Sequence, residues 1–391
     1  MADTDTDITR RKLLAAAGAV PLTLAASRAF AQSASGQPMP TDAAPQPVVP
    51  GEQMRWAIVG LGSFAVNEVM PGFADARLSR MTAFVSGNPA KARDLGARHR
   101  VSRFYDYANY DTMKANAEID CVYIVLPVGL HAEYTVRALE AGKHVLCEKP
   151  MASTSAECER MVAAARANNR QLGVAYRVHF EPTNREAKRR IAAGELGAIR
   201  AVHNSHGFNA NPQFPPHKWR LEKALAGGGS MFDIGIYGLN TSLSMLEGDT
   251  PVSVSALYAY PRDDPRFAEV EGGIDWRMTM ASGINVTGWS SYCHAPYVSR
   301  QHYFGSTTSM EMQPATTYDD NNIVIDGGNQ PRRQIGAGNP LTQFAAQIDG
   351  FSEAARANRA HLTPGEMGLR DIRLIEAMYR SADAGGRVIA L

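Results

Sequence analysis

A glycine-rich turn after an apolar strand constrains the fold of this chain more than any other feature. Residues 55–59 are Arg-Trp-Ala-Ile-Val, and they run into Gly60-Leu61-Gly62-Ser63-Phe64-Ala65. Gly60 permits a tight turn, Gly62 lets bare backbone approach a ligand, and Ala65 lets the next helix pack closely on the strand. The start of that helix directs free N–H groups at an anion. The motif indicates a site for a dinucleotide pyrophosphate, although such turns also follow strands for steric reasons alone.

The first 31 residues have the pattern of an export signal. A twin-arginine pair at Arg10 and Arg11 precedes an apolar stretch over residues 13–26, and a small-x-small cleavage site stands before Gln32. The apolar stretch is too short to span a bilayer, which requires about 20 residues. We therefore expect residues 1–31 to be a twin-arginine signal that directs the protein to the periplasm. That route carries folded proteins, so the signal favours a cofactor that is loaded before export and tightly held.

Residues 32–52 are rich in proline, alanine, glutamine and serine and cannot build a core of their own. We expect them to form a proline-rich arm. The arm is either a disordered spacer or a cover over the cofactor or a neighbouring subunit, and the sequence does not separate these roles.

Charge and cysteine content exclude several classes of partner. The 391 residues include 40 Lys or Arg and 39 Asp or Glu, with no basic stripe or charge block. Neither nucleic acid nor, after signal cleavage, a membrane is therefore a predicted partner. The four cysteines form no C-x-x-C pair, so the sequence predicts no metal site and no disulfide framework.

Strands alternate with helices through residues 53–178. This order predicts an α/β domain with a doubly wound parallel sheet, the Rossmann arrangement. The predicted strands are residues 55–60, 81–85, 122–126, 144–147 and 172–176. The predicted helices between them are residues 64–75, a helix from about 89, 133–141 and 155–168.

After about residue 180 the strands follow one another without crossover helices, which predicts a largely antiparallel open sheet with helices on one face. The predicted strands are residues 200–208, 252–260, 273–280, 284–292 and 301–304. The predicted helices are residues 183–193, 231–246, 341–358 and 366–384. We expect residues 179–391 to form an α+β domain for substrate binding and oligomerisation, with its last two helices packed back on the first domain. An exposed face of its sheet would make a homodimer or a homotetramer natural.

The tip of the second predicted strand favours NADP over NAD. When NAD binds such a sheet, an acidic residue at this tip holds the adenosine ribose. Here the tip is Ser86-Gly87-Asn88-Pro89-Ala90-Lys91, without a carboxylate. A hydroxyl, backbone donors and a lysine suit a 2′-phosphate, which a carboxylate would repel. The alternative is that Ser86 and Asn88 only form the turn and Lys91 is a solvated helix residue.

A lysine follows the predicted strand that ends at Cys147. The segment Glu148-Lys149-Pro150 would lie at the carboxyl edge of the parallel sheet, where open α/β sheets bind ligands. A lysine beside a nicotinamide ring can hold a substrate hydroxyl and favour ionisation of a neighbouring acid–base group. The alternative is a solvent-facing lysine at a strand end.

With the motifs that follow them, these segments resemble the Gfo/Idh/MocA family, which includes glucose–fructose oxidoreductase and inositol dehydrogenase. The resemblance covers nearly the whole chain after the signal and is closest to the glucose–fructose and aldose–aldose oxidoreductase branch. The further residues that carry it are Leu126-Pro127, His131, Tyr176-Arg177, Trp219-Arg220-Leu221, residues 227–230, Asp233 and Tyr237. One departure is Pro127-Val128-Gly129, because many relatives have Pro-Asn there and this chain lacks that amide near the nicotinamide ribose.

The resemblance implies hydride exchange at the anomeric carbon of a sugar through a tightly bound NADP. One aldose would be oxidised to its lactone, and a second sugar, an aldose or fructose, would be reduced to an alditol in a ping-pong cycle. Tyr237 is the predicted acid–base residue, Lys149 the charge that favours its phenolate, and Asp233 a residue that orients a sugar hydroxyl. Asp233 and Tyr237 lie four apart in one predicted helix and so share a face. The structural alternatives are an acid near a helix start for Asp233 and a core tyrosine for Tyr237.

The predicted sites include more residues than this trio. The predicted cofactor contacts are Gly60, Gly62, Ser63, Phe64, Ala65, Ser86, Asn88, Lys91, Leu126, Pro127, His131, Glu148, Lys149, Arg177, Trp219 and Arg220. The predicted sugar contacts are Lys149, Tyr176, Arg177, Asp233 and Tyr237.

Three other functions stay open. They are a glycoside hydrolase of the same fold that uses bound NAD(P), a plain sugar dehydrogenase with an exchangeable cofactor, and a non-catalytic sugar sensor. The missing carboxylate near Ser86 and the tyrosine at position 237 count against the hydrolase. The intact Glu148-Lys149-Pro150 segment counts against the sensor.

Overall fold

Residues 53–327 and 330–391 are the part of the chain that the computed structural model describes. The predicted signal (1–31) and the predicted arm (32–52) lie outside these described residues. Among the helices of the described part, none has the length and apolarity that a membrane crossing requires.

Six parallel strands form the first sheet of the described residues, in the spatial order β3-β2-β1-β4-β5-β6. They are β1 (Met54–Val59), β2 (Ser79–Val85), β3 (Arg103–Tyr105), β4 (Cys121–Ile124), β5 (His144–Glu148) and β6 (Leu172–Ala175). The order reverses between β1 and β4, and there open sheets of this kind form a ligand crevice beyond their carboxyl ends. The predicted Rossmann sheet is confirmed. The sequence analysis missed β3 because that strand is three residues long and mostly exposed.

Helices cover both faces of this sheet. They are α1 (Met70–Asp75), α2 (Pro89–His99), α3 (His131–Glu140) and α4 (Ser155–Ala167). A π-helical segment, Ala65–Val69, precedes α1, so the helix predicted over residues 64–75 consists of two segments. Pro71 has no N–H to donate to the carbonyl four residues earlier, which accounts for the change of helix type.

Nine strands of the described chain form the second sheet, in the order β14-β13-β12-β11-β7-β10-β9-β8-β15. They are β7 (Ile199–Asn209), β8 (Pro251–Tyr258), β9 (Gly273–Met280), β10 (Asn285–Ser291), β11 (Cys293–Gly305), β12 (Ser309–Met312), β13 (Ile323–Gly327), β14 (Gln330–Ile335) and β15 (Ile389–Ala390). Its neighbouring strands are antiparallel except β7 and β10, which run parallel. The predicted, largely antiparallel sheet is confirmed, with β12 to β15 as unpredicted additions.

Four further helices of ten or more residues pack against the two sheets. They are α5 (Pro182–Ala192), α6 (Ile236–Met245), α7 (Gln343–Arg356) and α8 (Gly365–Asp383). A second π-helical segment, Met231–Gly235, precedes α6, so the helix predicted over residues 231–246 is also divided. The division affects Asp233 and Tyr237, which are four residues apart. An α turn places two such positions on the same helix face, whereas a π turn does not.

The two C-terminal helices contact the first half of the chain. In α7, the ring of Phe351 packs 5.4 Å from that of Trp56, centroid to centroid, and Ser352 accepts a 3.0 Å hydrogen bond from the indole nitrogen. In α8, Glu376 accepts a 2.7 Å hydrogen bond from the Ser155 hydroxyl at the start of α4. Trp56 is fully buried. These contacts pack α7 on the parallel sheet and connect α8, which also packs on β8, to α4.

Candidate active site

The glycine-rich turn has the backbone geometry that a close ligand approach needs. Gly60 has a φ of 92°, and a Cβ atom there would lie 2.3 Å from the carbonyl oxygen of Val125. Gly62 is exposed, and a Cβ atom there would meet no protein atom within 4 Å. Ser63 is exposed as well, while Ala65 is fully buried where the helix begins. The turn therefore fits a pyrophosphate, because its bare backbone faces open space at the start of a helix.

The tip of β2 combines a hydrogen-bonded turn with a lysine whose ammonium has no partner among the described residues. Ser86 accepts a 3.1 Å hydrogen bond from the backbone of Asn88, whose side chain caps α2 by accepting one from the Lys91 backbone at 3.0 Å. Burial lowers the pKa of the Lys91 ammonium. Within the described residues, this ammonium forms no ion pair or side-chain hydrogen bond. Ser86 and Asn88 thus have the turn-forming role of the alternative interpretation, while Lys91 is placed to meet an anion.

His131 does not lie where a cofactor can reach its ring. Its Nδ1 atom lies 2.8 Å from the carbonyl oxygen of Pro150, and its Nε2 atom lies 2.8 Å from that of Leu126. The side chain is 1 % exposed. His131 therefore ties the loop after β4 to the loop after β5, which corrects the predicted cofactor contact to a structural role.

The loop that departs from the family pattern packs tightly against a distant segment. A Cβ atom on Gly129 would lie 1.9 Å from the carbonyl oxygen of Ala224, in the short helix Lys223–Ala226. Only a glycine permits this approach. The segment that carries Trp219 and Arg220 is thereby brought onto the loop after Pro127, close to the carboxyl edge of the parallel sheet.

Lys149 connects this edge to the second half of the chain. Its ammonium donates a 2.6 Å hydrogen bond to the backbone carbonyl of Asp233 and lies 3.5 Å from the carboxylate of the same residue. The same ammonium lies 4.5 Å from the centre of the Tyr237 ring. The structure therefore brings together all three residues predicted to be catalytic.

Asp233 is held as an anion by three neighbouring side chains. Its Oδ2 atom accepts hydrogen bonds from Arg220 at 2.8 Å and from the Tyr292 hydroxyl at 3.1 Å. Burial alone would raise the pKa of the Asp233 carboxyl, but the charges of Arg220 and Lys149 and these hydrogen bonds lower it to about 2. An ionised carboxylate only accepts hydrogen bonds, so Asp233 is suited to binding a hydroxyl group. The sequence analysis missed Tyr292, because nothing in its local pattern links it to Asp233.

Tyr237 stands between two cations. The Arg177 guanidinium lies 5.1 Å from the ring centre, in addition to the Lys149 ammonium. Arg177 is 4 % exposed, also lies 4.3 Å from the Tyr318 ring, and donates to Gln343 at 2.7 Å. Both cations lie over the ring, whose negative face attracts positive charge. Arg177 therefore reaches Tyr237, whereas its predicted contact with a ligand would compete with the hydrogen bonds that its guanidinium already donates within the protein.

Tyr176 lies outside this group, which corrects its predicted contact with a sugar. It is fully buried, and its hydroxyl donates a 2.8 Å hydrogen bond to Asp371 in α8. The same carboxylate accepts a 2.7 Å hydrogen bond from Asn240 in α6. Tyr176 therefore helps to anchor the helix that carries Tyr237.

Glu148 faces the interior of the parallel sheet. Its carboxylate is 9 % exposed and accepts a 2.7 Å hydrogen bond from the Tyr123 hydroxyl, which in turn accepts one from Gln347 in α7 at 3.0 Å. Burial raises the pKa of the Glu148 carboxyl to about 7. Little of the Glu148 side chain is therefore open to the predicted contact with a cofactor. Its carboxylate instead accepts a 3.2 Å hydrogen bond from the backbone N–H of Lys149.

The described residues contain neither a disulfide nor a cluster of side chains suited to a metal ion. The four cysteines, which all lie in this part of the chain, are free. No group of three or more His, Cys, Asp or Glu between residue 53 and the end, apart from the two residues not described, is placed to hold a metal ion.

A Rossmann sheet with an open glycine turn, beside a lysine, a tyrosine and an ionised aspartate, defines a dinucleotide-dependent oxidoreductase. Comparison with known sequences agrees. Residues 54–176 match the family described as an oxidoreductase family with an NAD-binding Rossmann fold, and residues 184–311 match the GFO/IDH/MocA C-terminal domain. The chain belongs to the Gfo/Idh/MocA oxidoreductase family.

Individual relatives span most of the chain. The NADP-dependent D-xylose 1-dehydrogenase of Haloarcula marismortui is 30% identical over 86% of this chain and 92% of its own length. The crystal structure of the aldose–aldose oxidoreductase of Caulobacter crescentus in complex with glycerol is 39% identical, with a TM-score of 0.82 over 87% of this chain and all of its own. An inositol dehydrogenase homologue of Azotobacter vinelandii in complex with NAD⁺ is 25% identical, with a TM-score of 0.78 over 87% of this chain and 98% of its own.

Proposed function

We propose that this protein is an NADP-dependent sugar oxidoreductase that oxidises an aldose to its lactone and reduces a second sugar to an alditol. The second sugar is an aldose or fructose, and the cofactor stays bound between the two halves of the cycle. The observation that carries the proposal is the position of the Lys149 ammonium, 4.5 Å from the Tyr237 ring and at the edge of the dinucleotide-binding sheet. The similarity to an aldose–aldose oxidoreductase and to an NADP-dependent xylose dehydrogenase supports the sugar and the cofactor.

The choice of NADP rests on the tip of β2. No carboxylate stands between Val85 and Lys91, and the half-buried Lys91 ammonium has no anionic partner in the described chain. A 2′-phosphate would supply that partner and offset the desolvation of the ammonium. The backbone of Gly62 and the exposed Ser63 would hold the pyrophosphate.

The proposed chemistry assigns one task to each residue of the trio. A bound nicotinamide supplies the hydride acceptor for the first sugar and the hydride donor for the second. Tyr237, as phenolate, takes the proton of the anomeric hydroxyl while the C–H bond of the same carbon breaks, and the carbonyl of the lactone forms. In the reduction Tyr237 returns a proton to the carbonyl oxygen of the second sugar. Lys149 stabilises the phenolate by its charge, and Asp233 accepts a hydrogen bond from another sugar hydroxyl.

Product analysis without added cofactor tests the proposal. Protein isolated from its native host is dialysed extensively and mixed with glucose, and the near-ultraviolet absorbance of reduced nicotinamide is recorded. A second aldose or fructose is then added, and lactone and alditol are measured by chromatography. We expect the absorbance to rise with glucose, to fall with the second sugar, and equal amounts of the two products to accumulate.

Each alternative function gives a different result in this assay or in a parallel one with a nitrophenyl glycoside. Loss of the nucleotide on dialysis, with activity restored by added NADP, would identify a plain dehydrogenase. Release of nitrophenol from a nitrophenyl glycoside without alditol would identify a hydrolase. A bound nucleotide whose absorbance no sugar changes would identify a sensor. Any of the three results would overturn the proposal.

Export and assembly complete the proposal. The twin-arginine pattern in residues 1–31 supports export to the periplasm with the cofactor already bound, and cell fractionation tests the location. The outer face of the second sheet carries exposed side chains, including Leu257 and Arg300, which supports assembly into a homodimer or homotetramer. Light scattering of the purified protein tests the oligomeric state, and a monomer would contradict it.

A further inference from the structure

A buried histidine stands next to the catalytic tyrosine and has no role in the chemistry described above. His206 lies in β7, on the face of the second sheet that α6 covers, and is 1 % exposed. Its ring packs along the Tyr237 ring, with centroids 6.3 Å apart and an angle of 25° between the planes. His206 belongs to neither the glycine turn nor the family motifs.

Both ring nitrogens of His206 are buried without a hydrogen-bond partner among the described residues. Buried polar atoms are satisfied in the great majority of cases, because an unsatisfied one loses the hydrogen bonds that water would supply. An imidazole that leaves both nitrogens unsatisfied next to a catalytic group is therefore suited to a partner that arrives with a ligand. By contrast, each ring nitrogen of His131 lies 2.8 Å from a backbone carbonyl oxygen of the protein.

The charge state of this imidazole suits an uncharged partner. Burial and the nearby Lys149 charge lower the pKa of His206 to about 3, so the ring is neutral at physiological pH. A neutral imidazole offers one N–H donor and one acceptor nitrogen. A sugar hydroxyl, which both donates and accepts, matches either nitrogen.

We propose that His206 hydrogen-bonds a hydroxyl group of the sugar that occupies the Lys149–Tyr237 site, and thereby helps to select the sugar. The inference rests on the proposed function, since it assigns a further contact to the same substrate. His206 affects which sugar binds, whereas Lys149 and Asp233 supply charge and Tyr237 transfers the proton.

Sugar binding to a His206→Phe variant tests this assignment. Phenylalanine keeps the ring against Tyr237 but removes both nitrogens. His203→Phe is a matched control, because His203 lies in the same strand on the exposed opposite face. Binding of glucose and of each monodeoxyglucose is measured by calorimetry on the nucleotide-loaded proteins, and the thermal midpoint and bound nucleotide absorbance verify that each variant is folded.

We expect wild type and His203→Phe to bind one deoxy sugar about tenfold more weakly than glucose, as the loss of one hydrogen bond predicts. His206→Phe should bind glucose about tenfold more weakly and lose the discrimination against that same deoxy sugar. Unchanged discrimination against every deoxy sugar in His206→Phe would overturn the inference. If that variant does not fold, His206→Gln, which keeps a donor and an acceptor, takes its place. Retained discrimination in His206→Gln together with its loss in His206→Ala supports the inference, and equal discrimination in both overturns it.

The readout separates this inference from the proposed function. Calorimetry reports binding whether or not hydride is transferred. Discrimination that depends on His206, in a protein whose nucleotide no sugar reduces, would preserve the sugar contact and refute the oxidoreductase. Lactone and alditol formation with unaltered discrimination in His206→Phe would do the reverse.

Discussion

The ammonium of Lys149 lies 4.5 Å from the centre of the Tyr237 ring, although Lys149 follows a strand of the parallel sheet and Tyr237 lies in a helix over the second sheet. Lys149 follows the last residue of β5, and Tyr237 lies in the first turn of α6. The pair therefore exists only because the parallel sheet and the helix over the second sheet are packed together. The hydrogen bonds from Tyr176 and Asn240 to Asp371 connect α6 to α8 and to the segment that follows β6.

Replacing either member of this pair should stop turnover and leave the cofactor bound. Lys149→Ala removes the charge beside the phenol, and Tyr237→Phe removes the acid–base group. We expect each to lower kcat by more than about a hundredfold, as the loss of general acid–base catalysis predicts. Turnover and bound nucleotide absorbance are the measurements, with Tyr260→Phe as the control, and near-normal rates in both variants would refute the assignment.

The two glycines of the turn should respond differently to alanine. Gly62→Ala places a methyl group in open space, so we expect stability to change by less than about 1 kcal/mol. The same methyl would separate the backbone from the phosphates, so nucleotide affinity should fall at least about tenfold. Gly60→Ala should instead destabilise the fold, because of the positive φ and the 2.3 Å approach to Val125. Fluorescence titration with NADP and urea unfolding distinguish the two effects, and full nucleotide affinity in Gly62→Ala would contradict the predicted pyrophosphate site.

Lys91→Ala should shift the cofactor preference. If the half-buried ammonium binds the 2′-phosphate, its removal should weaken NADP binding at least about tenfold and leave NAD binding nearly unchanged, because the contact is a charge-assisted one. Lys114→Ala, at an exposed position, is the control. Competition binding with both nucleotides provides the measurement, and an equal loss for NAD and NADP would exclude a phosphate contact.

Stability should fall as pH rises through the titration of Glu148. Its pKa is raised by burial from 4.5 to about 7, so the folded protein binds this proton more tightly than the unfolded chain does. The contribution is therefore greatest at or below pH 4.5 and decreases until the pH passes about 7, by at most about 3 kcal/mol. Glu148→Gln cannot ionise and should lose this part of the pH dependence, whereas the exposed Glu140→Gln should keep it. Urea unfolding over this pH range is the measurement, and parallel curves for Glu148→Gln and wild type would contradict the assignment.

Tyr176→Phe should affect stability and not sugar binding. The change leaves the buried Asp371 carboxylate with one hydrogen-bond donor fewer, which costs about 2 kcal/mol for a charged acceptor. We expect a lower midpoint of urea unfolding and an unchanged KM for the sugar. A higher KM with unchanged stability would restore Tyr176 to the sugar site.

The parallel sheet was predictable because its signals are local. The run of residues 122–126 is apolar without interruption because β4 is buried on both faces, and the turn at Gly60 needs a residue without a Cβ. The missed elements lack such signals. Strand β3 is short and exposed, and β15 consists of two residues that are recruited to the edge of the second sheet by β8.

The candidate site was predictable only in part. Lys149, Asp233 and Tyr237 belong to recognisable segments, and the structure brings them together. Tyr176 and His131 belong to equally recognisable segments, yet their side chains are used inside the protein. A sequence pattern identifies the segment but not the direction in which a side chain points.

By itself the sequence determined the fold class, the family and the segments that carry the chemistry, because periodicity, glycine turns and motifs are properties of neighbouring residues. Only the tertiary structure decided that Arg220 and Tyr292 hold Asp233 ionised and that Arg177 joins Lys149 beside Tyr237. It also decided that His206 packs against the same ring with no hydrogen-bond partner among the described residues. These contacts join residues far apart in the chain. Their electrostatic effect depends on burial and distance, which exist only once the two sheets and their helices have packed.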